Sequence, residues 1–178
     1  MISNRSILAL TTLTAFAAIV GLFVSIASID VNTSVAGEAV WYTFMQIAFY
    51  AGLVFLYRTG TFRRTPWSKW ALLAVPAIGL GALFKILYWY GVTSYYLILG
   101  GYAIIVITYG IHFFRKPYKT RLDFLKLSYV TIACMLRCAL FLHIITKEQG
   151  SIELFLFWVV FLENLREGSK RGTLFQDE

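Results

Sequence analysis

The chain has 178 residues, of which 59% are hydrophobic and only 14% are charged, and its formal net charge is +7. A soluble domain carries roughly a quarter charged residues, so most of this surface faces lipid, and the apolar runs lack the alternation of a barrel strand. The composition therefore predicts an all-α, polytopic transmembrane helical bundle. Basic residues are expected to mark cytoplasmic loops, and no nucleic-acid site is predicted.

Six apolar runs predict six spans within a single membrane domain, 1–178. In chain order they cover 7–29, 39–57, 70–90, 94–114, 122–146 and 152–165, and a cytoplasmic tail follows over 166–178. Most Lys and Arg residues between the runs follow the second and fourth, which predicts that both termini are cytoplasmic. The last run gives only about 21 Å of helix against about 30 Å of hydrocarbon. Five spans with an outside tail are therefore the alternative.

Small residues recur on several runs, often four positions apart. In lipid, a face of small side chains lets two helices approach closely. The residues predicted to pack in this way are Ala17, Gly21 and Ser25 of the first run, Ala48 and Gly52 of the second, Gly81 of the third, and Gly100 and Gly101 of the fourth.

Lys85 lies within the third run, where a charge is costly and is seldom placed without a role. Gly81, Tyr88 and Trp89 lie three or four positions away and share its face, so aromatic rings can pack against the ammonium group. Two interpretations are open. The residue is a site for an anion, a proton relay or an ion pair, or it snorkels to the outer interface.

Arg137 lies near the midpoint of the fifth run, too far from either end for easy snorkelling. A guanidinium group in lipid requires a partner, and the candidates are Glu153, Glu163, Glu38 or backbone carbonyls. A structural ion pair is the expected outcome. Since Lys85 and Arg137 both fall in the middle-to-outer half of the membrane, a shared positive pocket is a second hypothesis.

Residues suited to catalysis or metal binding are few. Cys134 and Cys138 are one helical turn apart, which is poor disulfide geometry, and His112 and His143 are predicted on opposite sides of the bilayer. The sequence contains no nucleotide-binding loop and no nucleophile motif. We therefore predict no catalytic residue, no metal site and no cofactor, and we expect that the protein is not an enzyme.

Residues 81–91, GALFKILYWYG, resemble the membrane hairpin of the GldL family, the inner-membrane motor subunit of Bacteroidetes gliding motility and type IX secretion. The resemblance is confined to the third and fourth runs and places the family's lysine on Lys85. Tyr88 and Tyr90 stand where the family has histidine and proline. The family's second-helix glutamate falls on Ala103. The resemblance therefore implies a GldL-related protein of the bacterial inner membrane without the motor activity.

Three functions are compared. The favoured one is a non-catalytic inner-membrane subunit or scaffold of a larger assembly, with protein partners or further copies of itself, linked by the resemblance to gliding motility or type IX secretion. The alternative is a small transporter or oligomeric pore that uses Lys85 and Arg137 for an anion or proton path, and it requires a polar cavity reaching both charges. An intramembrane enzyme would require a lipid-facing cleft with a convergent acid or base. Pairing of the charges in a dry bundle would favour the scaffold.

Overall fold

A computed structural model of the chain describes residues 3–27, 31–87, 92–144 and 151–171. Within these ranges the backbone forms six α-helices and one short 3-10 helix over Thr61–Arg64, and no described residue lies in a strand. The predicted all-α class is confirmed. The helices are α1 (Asn4–Ala27), α2 (Val31–Thr59), α3 (Trp67–Ile86), α4 (Val92–Arg115), α5 (Arg121–Phe141) and α6 (Ser151–Arg171).

Of the helices in the described ranges, five are long and apolar enough to cross a membrane, α1 to α5. The protein is therefore a multi-pass membrane protein. The sixth apolar run forms a helix of 21 residues, α6, whose length of about 31 Å exceeds that of the run itself. Because of its charged residues, α6 is not among the helices that are apolar enough to cross a membrane. Its crossing of the membrane therefore stays a prediction. The cytoplasmic placement of both termini also stays a prediction.

Several helix ends differ from the hydropathy boundaries, because hydropathy reports the apolar run and not the backbone. α2 begins at Val31 instead of 39, since polar residues continue the helix beyond the run. α3 ends at Ile86, where Leu87 adopts φ −78° and ψ 10° outside the helical region. α5 ends at Phe141. The predicted run ends at 29, 90 and 146 lie outside the described residues.

The first of two compact units comprises Met1–Gly60 and Leu165–Glu178. Its α1 and α2 pack antiparallel with their backbones in contact at Gly37. A Cβ atom on Gly37 would lie 2.6 Å from the backbone N of Ser25 and 2.9 Å from the carbonyl oxygen of Gly21. Gly21 and Ser25 were predicted packing residues, and Gly37 was not, because hydropathy assigned it to a loop.

The other predicted small residues of this unit are also located within its packing. Ala48 has no exposed surface and Gly52 is buried. Ala17 is only half-buried, and its neighbour Ala18 is the residue with no exposed surface. The four-residue spacing thus predicted the correct side of α1, but at this turn the packed residue is Ala18 and not Ala17.

The second unit is Thr61–Asn164, in which α3 and α4 pack antiparallel. A Cβ on Gly81 would lie 2.7 Å from Cγ1 of Ile98, and Gly101 fits equally tightly against α3. Gly100 differs from the prediction, since a Cβ there would meet nothing within 4 Å. Adjacent helical residues are rotated by about 100°, so only one of the two glycines can face α3.

The connection from α4 to α5 is ordered by polar contacts that fix where α5 begins. Thr120 accepts a hydrogen bond from the backbone N–H of Asp123, whose carboxylate accepts one from the backbone N–H of Thr120. Lys116 Nζ lies 2.7 Å from the same carboxylate. This reciprocal capping box was missed at the sequence level, although a threonine three positions before an acid at a helix start is its usual signature.

Candidate functional site

Among the described residues of the second unit, the most deeply buried charge is an acid that pairs with Arg137. Arg137 Nε lies 2.6 Å from Glu153 Oε2, which joins α5 to the first turn of α6. The Glu153 side chain is 8% exposed and that of Arg137 is 40% exposed. A buried carboxylate is tolerated when a guanidinium group neutralises it. The guanidinium of Arg137 thus has the acidic partner that its position in the span demands.

The other acids proposed for Arg137 occupy different positions. Glu163 is half-buried on α6, ten residues beyond Glu153. Glu38 is exposed on α2 and belongs to the first unit. The sequence had left the choice open because the register between two helices is not encoded in either helix alone.

A second polar bond joins α5 to α6. Lys126 Nζ donates to Asn164 Oδ1 at 2.6 Å, and Asn164 is buried. Lys126 precedes Arg137 by eleven residues, and Asn164 follows Glu153 by eleven, so the two bonds lie three turns apart on both helices. The bonds therefore fix an antiparallel register. Neither Lys126 nor Asn164 was singled out from the sequence.

Aromatic side chains fill the space between the two bonds. The rings of Tyr129 and Phe157 lie 6.2 Å apart across the two helices, and Phe157 stacks on Phe161 at 5.7 Å. Phe157 has no exposed surface. The buried carboxylate of Glu153 is thus bordered by an aromatic core on its own helix, whereas the Arg137 side chain stays partly exposed.

Lys85 binds the end of α5. The sequence had suggested that it lies deep inside its own helix, but it lies near the end of that helix. It lies in the last turn of α3, and its Nζ is 3.3 Å from the carbonyl oxygen of Phe141 and 4.2 Å from the centre of that ring. The last carbonyl groups of a helix lack partners within it, and a cation near them is favourable. Lys85 therefore caps α5. Tyr88 and Trp89, the predicted aromatic neighbours, lie outside the described residues.

His143 completes this cluster. Its Nε2 lies 3.4 Å from Lys85 Nζ, and because an ammonium group can only donate, that nitrogen accepts. Its backbone has φ 58°, a left-handed conformation that usually requires glycine. The N–H groups of His143 and Ile144 bond the carbonyls of Leu140 and Ala139, which is the Schellman pattern that ends a helix. No glycine marks this end, so this helix end could not be predicted from the usual glycine signal.

An apolar groove of about 460 Å³ lies between α4 and α5. Its wall contains Tyr102 and both cysteines, and otherwise only aliphatic side chains and methionine. Neither Lys85 nor Arg137 lines it. The residues are Leu99, Tyr102, Ala103, Val106, Ile107, Cys134, Met135, Cys138, Ala139, Leu142 and Ile144.

These features define a class of protein, a multi-pass α-helical membrane protein with an internal ion pair between α5 and α6. Among the described residues, no group of three or more His, Cys, Asp or Glu side chains is placed to hold a metal ion. The chain matches no family model, no curated protein and no solved structure. The functional conclusion therefore depends on the side-chain arrangement of the chain itself.

Proposed function

We propose that the protein is a non-catalytic subunit or scaffold of a larger membrane assembly. The observation that carries the proposal is the Arg137–Glu153 pair, since an arginine held at 2.6 Å by a buried acid is a fixed structural contact. A group that conducts protons or anions has to exchange partners with water, and both bonds between α5 and α6 oppose that exchange. The charge in the middle of α5 is thus used to hold two helices in register.

The contacts of Lys85 also support a structural role. Its ammonium group binds a helix-terminal carbonyl and the ring of the same residue, Phe141. Both contacts are favourable for an ammonium group. They hold the end of α3 against the end of α5. The alternative proposal, a small transporter or pore, retains Lys85 as a candidate because its described partners include no acid.

The hairpin resemblance gives the proposed assembly a biological context. Residues 81–91 resemble the GldL hairpin, so we place the protein in the inner membrane of a Bacteroidetes bacterium, in an assembly linked to gliding motility or type IX secretion. At the position of the family's glutamate, Ala103 lines the apolar groove. A methyl group there cannot take up a proton, which is consistent with a GldL-related subunit that lacks the motor step.

We expect native mass spectrometry of the protein, extracted gently from its own membrane at natural abundance, to find other subunits at fixed stoichiometry. An identically tagged, unrelated multi-pass protein from the same membrane serves as the control, and any species found with both is background. A bare monomer would contradict the proposal. A homo-oligomer without other subunits would favour the pore over the scaffold.

A further inference from the structure

The groove between α4 and α5 extends along the membrane-spanning part of the second unit. Its wall on α4 runs from Leu99 to Ile107, about 12 Å along the helix axis. The wall on α5 starts at Cys134 and continues past the helix end to Ile144. Both helices are among those apolar enough to cross a membrane. A groove in this position accommodates a hydrocarbon chain.

One end of the groove lies near an ammonium group, although that group does not line it. Leu142 and Ile144 line this end, and Lys85 Nζ lies 3.3 Å from the carbonyl oxygen of Phe141, the residue that precedes Leu142 in the chain. His143, which is also outside the lining, lies 3.4 Å from the same ammonium group. We call this end of the groove the Lys85 end. The opposite part of the groove, around Val106 and Cys134, is apolar.

Counting the contacts among the described residues alone, hydrogen-bond donors remain at the Lys85 end for an anionic group. An ammonium group has three N–H donors, and the contacts with Phe141 and His143 use two of them. Because Nε2 of His143 accepts, the imidazole in its neutral form carries its proton on Nδ1. One N–H of Lys85 and the Nδ1–H of His143 can therefore both donate to an anion.

We infer that the groove is a binding site for one membrane phospholipid with an anionic headgroup. One acyl chain lies along the apolar wall from Leu142 towards Val106, and a phosphate oxygen accepts hydrogen bonds from Lys85 and His143. The positive charge and donors at one end match the headgroup, and the apolar wall matches the chain. The inference goes beyond the proposed function and does not depend on it.

The test is native mass spectrometry of the full chain in detergent, titrated with phosphatidylglycerol or with phosphatidylcholine, which is zwitterionic. We expect one phosphatidylglycerol to bind about tenfold more tightly than phosphatidylcholine, because the quaternary ammonium of phosphatidylcholine offsets the attraction between its phosphate and the Lys85 ammonium group. Lys85→Gln should remove that preference, and Lys85→Arg, which keeps the charge, should retain it. Equal binding of the two lipids to the unaltered chain would overturn the inference.

A second variant tests the groove without altering the polar end. Ala103 is exposed and lines the wall, so Ala103→Phe should fill the groove and weaken the binding of both lipids at least tenfold. Ala9→Phe, an equal change at an exposed position of α1, should leave binding unchanged. Full binding by Ala103→Phe would overturn the inference. So would a dimer that buries the groove and retains no lipid.

Discussion

We expect Glu153→Gln to lower the free energy of unfolding by about 3 kcal/mol, the lower end of the range for breaking a buried ion pair. The substitution keeps the shape of the side chain but leaves the charge of Arg137 without its acid in a site bordered by aromatic rings. The partial exposure of the arginine side chain, 40%, places the effect at the lower end. Unfolding by sodium dodecyl sulfate in mixed micelles measures the change.

A double variant separates the ion pair from the packing around it. Arg137→Met with Glu153→Met replaces both charges by apolar groups of similar length, which is often close to neutral in a buried site. We therefore expect the double variant to be more stable than Glu153→Gln alone. If Glu153→Gln unfolds at the same detergent ratio as the unaltered chain, the pair does not hold α5 against α6.

We expect Gly37→Ala to destabilise the α1–α2 hairpin by about 3 kcal/mol, the upper end for overpacking. The nearest atoms to the added Cβ are all backbone, namely N and Cα of Ser25 and the carbonyl oxygen of Gly21, at 2.6 to 2.9 Å. Backbone atoms cannot change rotamer, so the two helices must move apart. The same micelle unfolding titration measures the loss.

Gly79 and Gly100 provide matched controls, since a Cβ at either would meet nothing within 4 Å. Both lie inside helices, where alanine is favoured over glycine by roughly 0.5–1 kcal/mol. Gly79→Ala and Gly100→Ala should therefore be neutral or slightly stabilising. A loss at Gly37 no larger than at Gly100 would show that the close approach of α1 and α2 contributes nothing.

The helices could be predicted from the sequence, but several of their ends could not. Hydropathy located the apolar runs because a membrane imposes their length and composition. Hydropathy does not detect helical turns made of polar residues, so it missed the first turns of α2 and the last turns of α6. In those last turns of α6, Arg171 lies 3.0 Å from Glu167. It also missed the end of α5, which is set by the left-handed backbone of His143.

The site was predicted in part. The position of Arg137 in the middle of a span implied a partner, and Glu153 was among the candidates. The choice between them depends on the antiparallel register of α5 and α6, which only the packed structure provides. The contact of Lys85 with Phe141 joins residues 56 positions apart, and no local pattern indicates it. Hydropathy alone therefore placed Lys85 deeper in its helix than it is.

We propose that the charges in the second unit hold helices together and do not line a conduction path. Flux across liposomes that contain the purified chain alone, followed with a pH-sensitive dye and a chloride electrode, distinguishes these two roles. We predict rates of proton and chloride movement equal to those of empty liposomes, for the unaltered chain and for Arg137→Gln. A flux above that level, abolished by Arg137→Gln or Lys85→Gln, would contradict the claim.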